Sequence, residues 1–66
     1  MAETIRKQML RRCRTALDRL GQTEAALCEV DQLHKGRSET VTAMAPVILR
    51  ATELLIELWE KMRSAI

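Results

Sequence analysis

The stretch HKGRSE, residues 34–39, contains the signals for the end of one helix and the start of another. His34 and Lys35 suit the negative end of a helix, and Gly36 suits the left-handed position that follows a helix C-terminus. Ser38 is a typical N-cap, and Glu39 falls in the first turn after it. The stretch therefore predicts two helices joined by a turn at about 36–38, and so short a turn makes them antiparallel neighbours.

Upstream of the turn, one apolar stripe predicts a helix over about residues 3–35. At about 100° per residue, the stripe comprises Ile5, Met9, Cys13, Ala16, Leu20, Thr23, Leu27 and His34. Leu10 and Leu17 widen it on one side, and Val30 widens it on the other. Gly21 leaves two alternatives open, a continuous helix or a break with Thr23 as a second N-cap. Because the stripe stays in phase across the glycine, we expect the continuous helix.

Downstream of the turn, the pattern predicts a second helix over about residues 39–65, with Pro46 as its one complication. Either the helix begins near Ser38 and kinks at Pro46, or regular helix begins near Ala43 and the proline lies in its first turn. Val41 and Ile48 share a stripe, which favours the early start. The predicted fold is an all-α antiparallel two-helix hairpin, a single domain over residues 1–66.

The second helix carries more apolar surface than a hairpin can cover. Its apolar arc spans about 220°, against the roughly 100° that an ordinary surface helix buries. Ile48, Leu55, Trp59 and Met62 form the midline of this arc, and Val41, Met44, Ala51 and Ile66 join them. A chain of 66 residues also has little core of its own, so we expect the hairpin to complete a helical bundle with another chain.

The flanks of this arc are the candidate partner-binding surface. The candidate residues are Val47, Leu49, Leu54, Ile56, Leu58 and Trp59. The expected function is protein–protein interaction by helix-in-groove docking, as an adaptor, co-chaperone or assembly subunit. The partner is either a second copy, in a dimer, or another helical protein. Trp59 is either an energetic anchor for that partner or a large core side chain. The small co-chaperones of bacterial type III secretion systems illustrate this class by their size and shape.

The first helix begins with a cluster of basic residues, although the formal net charge is only +2. Arg12 and Arg19 lie at one edge of the predicted seam, where pairing with Glu53, Glu57 and Glu60 is one explanation of their charge. Lys7, Arg11 and Arg14 lie on the outward face, as an ordinary solvated surface or as a contact for RNA or an acidic protein. In architecture the chain resembles the small RNA-modulating hairpin (Rop) proteins of colicin-type plasmids. That resemblance implies an alternative function, a homodimeric four-helix bundle that binds structured RNA.

The sequence contains no pattern typical of an enzyme, a cofactor site or a metal site. Gly21 and Gly36 are the only glycines, so there is no phosphate-binding loop, and His34 is the single histidine. Cys13 and Cys28 would lie about 22 Å apart along one helix, which is too far for a disulfide. Charged residues interrupt every long apolar segment, so we expect no membrane span. We therefore expect a cytoplasmic protein without catalytic activity, cofactor or small-molecule substrate.

Overall fold

A computed structural model describes residues 4–66, and over these residues the chain forms two α-helices and no strand. Helix α1 spans Ile5–His34, and helix α2 spans Glu39–Ala65. The Thr4 side chain caps α1 by accepting a hydrogen bond from the Lys7 backbone N–H at 3.2 Å. The predicted antiparallel hairpin is confirmed. Helix α1 also continues through Gly21, as the phase of its apolar stripe predicted.

The turn forms as its residues predict, except that two residues and not one adopt the left-handed conformation. Gly36 is left-handed at φ 72°, and Lys35 before it is left-handed as well, at φ 52°. The Arg37 backbone N–H donates to the His34 carbonyl at 3.0 Å, which closes the end of α1. Ser38 caps α2, its hydroxyl accepting from the Val41 backbone N–H at 3.2 Å. The sequence placed only the glycine in the left-handed region, because a lysine rarely adopts it.

Pro46 lies inside α2, so the alternative in which regular helix begins near Ala43 is wrong. Proline has no backbone N–H, and the Thr42 carbonyl one turn earlier therefore loses its usual intrahelical donor. Pro46 is exposed, which leaves this stretch of backbone open to solvent.

The two helices meet along a narrow seam of small side chains. The buried residues are Cys13 of α1 at 2% exposure, together with Ala45 at 8% and Thr52 at 5% of α2. Partly buried side chains border them, and the main ones are Leu17, Leu20 and Leu27 of α1 and Leu49, Ile56 and Trp59 of α2. At the open end of the hairpin, the Arg6 side chain donates to the Ile66 main-chain oxygen at 3.1 Å. Small side chains let the helix axes approach closely, but they leave the hairpin little apolar core.

The molecule is a layer one helix thick. Its Cα atoms extend 54 × 21 × 11 Å, and their radius of gyration is 15.8 Å, where a rounded domain of this length has about 11 Å. The chain exposes 5555 Å², while a typical folded monomer of 7.6 kDa exposes about 4,300 Å². Each helix therefore meets its neighbour along one edge and presents two broad sides to the surroundings.

Candidate protein-binding face

Helix α2 leaves most of its large apolar side chains uncovered. They run from one side of the seam round to the outer edge of the helix, where Val47, Ala51 and Leu54 line a shallow depression with Pro46 and Arg50. On a helical wheel all of the large uncovered residues lie to the same side of Thr52, and the glutamates of α2 lie to its other side. The large uncovered residues are Met44, Val47, Ile48, Leu54, Leu55, Leu58 and Met62, each between 41% and 60% exposed. With the exposed Ala51 among them, they form the α2 half of what we call the apolar face.

Helix α1 contributes the other half of the apolar face. Ile5 and Met9 of α1 join Trp59 and Met62 of α2 in lining a groove of about 340 Å³ at the open end of the hairpin. This groove fixes which side of α1 adjoins the exposed arc of α2. By the same helical phase, Val30, 48% exposed, extends the apolar face toward the turn.

The other broad side of the hairpin has the opposite character, and we call it the acidic face. Glu53, Glu57 and Glu60 of α2 lie on it. The Glu53 carboxylate lies 3.6 Å from the Arg50 guanidinium one turn earlier in the same helix. Glu57 and Glu60 line a separate shallow depression with Lys61 and Ser64. The two faces therefore separate apolar surface from carboxylates.

The structure divides the predicted partner-binding residues into two groups. Val47, Leu54 and Leu58 are exposed on the apolar face, where a partner could reach them. Leu49 and Ile56 are partly buried and face the seam. Trp59 belongs to both regions, since it is partly buried and also lines the groove.

Apart from Trp59, the residues that line the groove are not among the predicted partner-binding residues. Ile5, Met9 and Met62 belong to the apolar stripes of the sequence, but only the antiparallel register brings the two ends of the chain together to form a groove.

Most of the midline of the α2 arc also turns away from α1. Ile48, Leu55 and Met62 are exposed, while Trp59 borders the seam, whose buried positions on α2 are Ala45 and Thr52. Ala45 and Thr52 lie one heptad apart, so the buried line of α2 does follow the spacing of a coiled-coil contact.

The basic residues of α1 fall into two sets. Lys7, Arg11 and Arg14 line one shallow depression with Leu10, so the structure brings the predicted outward stripe together. Arg12 lines the groove of the apolar face. The structure thus places Arg12 on the opposite broad side of the hairpin from Glu57 and Glu60, so pairing with them does not explain its charge.

The remaining chemically reactive side chains do not gather into a site. The Cys13 thiol is buried and the Cys28 thiol is exposed, and both are free. His34 Nε2 lies 3.2 Å from the Asp31 carboxylate one turn earlier. Within residues 4–66 no group of three His, Cys, Asp or Glu side chains could hold a metal ion. No helix of this part of the chain is both long and apolar enough to cross a bilayer.

Comparison with known protein families, with curated proteins and with solved structures finds no match for this chain.

Proposed function

We propose that this chain is a protein–protein interaction module, a small adaptor, co-chaperone or assembly subunit that works by burying its apolar face against helical surface. The observation that supports this is the row of exposed Leu, Ile, Val and Met side chains along one side of α2. Contiguous apolar surface of this kind on a small protein marks an interaction site. The partner is another helical protein or a second copy of the chain.

The exposed area is large enough for a stable complex. The hairpin exposes 5555 Å², roughly 1,200 Å² more than a typical monomer of its mass. A standard interface buries about 800 Å² on each partner. Covering the apolar face would therefore bring the exposed area close to that of an ordinary folded domain. It would also supply the hydrophobic stabilisation that Cys13, Ala45 and Thr52 are too small to give.

The test is the mass of the purified chain in solution, measured by size-exclusion chromatography with light scattering over a range of concentrations. We expect self-association at high concentration, or an aggregation-prone monomer that becomes well behaved with its partner. Leu54→Glu and Leu58→Glu should each weaken association by at least about 100-fold, because burying an unpaired carboxylate at an interface costs several kcal/mol. Helical circular dichroism should persist in part in both variants.

Ser64→Glu provides the matched control, because it adds the same charge at an exposed position of the acidic face. It should associate as the wild type does. A wild-type chain that stays monomeric, soluble and fully folded at millimolar concentration, with no binding of a dye for apolar surface, would contradict the proposal. Unchanged association of both leucine variants would contradict it as well.

A second candidate function, binding of structured RNA, is supported by one observation. Lys7, Arg11 and Arg14 line a single depression on α1, where three cations could contact neighbouring phosphates. Helical phase places Lys7 and Arg14 on the same broad side as the glutamates of α2, and those carboxylates would oppose a polyanion.

The RNA candidate predicts salt-dependent binding of a fluorescent RNA hairpin, measured by anisotropy. Replacing Lys7, Arg11 and Arg14 together by Gln should reduce the affinity at 50 mM salt by about 10-fold or more, with a shallower salt dependence. The matched control replaces Lys35, Arg37 and Lys61 by Gln, and it should bind RNA nearly as the wild type does. Undetectable binding by the wild type at 50 mM salt would eliminate this candidate.

A further inference from the structure

We infer that the natural occupant of the apolar face is an amphipathic helix of a different protein, with Asp or Glu along the margins of its apolar stripe. This rests on the proposed interaction function and specifies its partner. Exposed apolar surface alone would accept either a second copy or a foreign helix. The distribution of charge around the face distinguishes the two.

The carboxylates of the described residues avoid the apolar face. Helical phase places them on the acidic side, along the seam or at the outer edge of α1. On the acidic side are Asp18, Glu39, Glu53, Glu57 and Glu60, along the seam are Glu24 and Asp31, and at the outer edge of α1 is Glu29. Asp31 already has a partner in His34, at 3.2 Å. Among residues 4–66, the apolar face therefore carries no acidic side chain.

The apolar face does carry two arginines. Arg12 lines the groove beside Met9 and Met62, and Arg19 lies one heptad further along the same side of α1. Both side chains are exposed. Their aliphatic stems can lie along apolar surface while the guanidinium groups reach its margin. A guanidinium binds a carboxylate through two parallel hydrogen bonds, so two arginines on one line select for acidic residues at matching spacing.

A second copy does not supply those carboxylates. In a two-fold dimer each chain uses the same patch, so the arginine-bearing apolar face would pack on another arginine-bearing apolar face. Arg12 and Arg19 would then meet apolar side chains or their own equivalents. Like charges brought together at an interface oppose association. A foreign helix with acidic margins meets the same apolar surface and pairs both arginines.

The dimensions of the face suit such a helix. The hairpin is 54 Å long and 21 Å wide between Cα extremes, and a helix with its side chains is about 10 Å across. One partner helix can therefore lie lengthwise on the apolar face, over the line where α1 and α2 meet, with the groove at one end of its path. A helix of about 27 residues would match the length of α2 (27 residues).

The inference can be tested with two designed helical peptides of about 28 residues. Both carry the same Leu/Ile stripe, and the flanking positions are all Glu in one peptide and all Lys in the other. Binding to the full chain is followed by anisotropy of a label on the peptide. At 50 mM NaCl we expect the Glu peptide to bind about 10-fold more tightly than the Lys peptide, as expected for a few exposed charge pairs. The preference should largely disappear at 1 M NaCl, where the Debye length falls to about 3 Å.

Two double variants locate the effect. Arg12→Gln with Arg19→Gln should abolish most of the preference for the Glu peptide and leave affinity for the apolar stripe. Lys35→Gln with Arg37→Gln removes the same charge at the turn, and it should keep the preference. Circular dichroism of both variants verifies that the hairpin still forms.

The other outcomes separate this inference from the proposed function. Equal binding of both peptides would overturn the charge selectivity while supporting an interaction module. A dilution-resistant dimer that binds neither peptide would show that a second copy covers the face, which also overturns the inference and supports the module. A stable monomer that binds neither peptide would overturn both.

Discussion

The seam and the apolar face lie side by side on α2, and they use the apolar residues of that helix in opposite ways. The seam buries Ala45 and Thr52, which are small, while the apolar face leaves Leu55 and Leu58 about half exposed. A chain that needed only its own two helices would bury the large residues, since burial of a leucine contributes about 2 kcal/mol. The difference is what the proposed interaction function requires, since it leaves the large side chains of α2 available for contact with another molecule.

The most direct way to break this comparison is to put a large residue into the seam. Ala45→Leu adds methylene groups at a position that is only 8% exposed. We expect a loss of about 1–3 kcal/mol in the free energy of unfolding, because overpacking forces the helices apart or the side chain off its rotamer. Urea denaturation followed by circular dichroism, at one protein concentration, measures it.

Ala51→Leu is the matched control, because Ala51 is exposed on the apolar face of the same helix. The same substitution there should change the free energy of unfolding by less than about 0.5 kcal/mol. Equal losses at the two positions would mean that the seam is no more tightly packed than the face, and the comparison would fail.

Much of the fold could be predicted because its signals are local. Gly36 has the left-handed φ that a helix end favours, and Ser38 accepts the hydrogen bond expected of an N-cap. The rotation of α2 about its own axis could not be predicted in the same way. Its apolar arc is so wide that α2 could bury apolar side chains against α1 in many rotations about its own axis. The residues that are in fact buried are small, so hydrophobicity alone does not single out the observed rotation.

The exposure of the candidate face was predictable in part. Val47, Leu54 and Leu58 are exposed, as the excess of apolar side chains over one seam implied on a helical wheel, and their contact with a partner stays a prediction. The groove of Met9, Arg12 and Met62 was not predicted, because it joins the two ends of the chain and depends on the register of the hairpin. The register follows from the length and geometry of the turn, which the sequence gives only approximately.

The two glycines test whether the turn determines the seam. Gly36 lies in the turn, which sets which stripe of α2 meets α1, and Gly21 lies inside α1. At Gly36, where φ is 72°, Ala should cost about 1–2 kcal/mol, because a Cβ is disfavoured in the left-handed region. At Gly21, inside α1, an added Cβ would have nothing within 4 Å. Ala there should stabilise the hairpin by about 0.5–1 kcal/mol through its higher helix propensity.

These opposite signs can be measured in the same urea experiment. A stabilising Gly36→Ala would show that the turn does not require its left-handed glycine, and the register of the seam would then have another cause. If Gly21→Ala were destabilising, the added Cβ would have to meet another molecule, because nothing in the hairpin lies within 4 Å of it.

The smallest change in the free energy of unfolding is expected at Thr52, the one polar residue among the described residues that are buried in the seam. Thr52 is 5% exposed, and its hydroxyl donates to the Ile48 carbonyl one turn earlier at 2.8 Å. Since that bond satisfies the hydroxyl within its own helix, the seam meets mainly the Thr52 methyl group. We expect Thr52→Val to change the free energy of unfolding by less than about 0.5 kcal/mol, because the lost hydrogen bond is offset by the gain of apolar contact.

Thr52→Ser is the informative partner variant, because it keeps the hydroxyl and removes the methyl group. It should cost about 0.8 kcal/mol, the value of one buried carbon. If Val instead cost more than Ser, the hydrogen bond of the hydroxyl to the Ile48 carbonyl would contribute more than the contact of the methyl group. Thr52 would then serve the backbone of α2 more than its packing on α1, and the hydrophobic contribution of the seam would be smaller still than side-chain size implies.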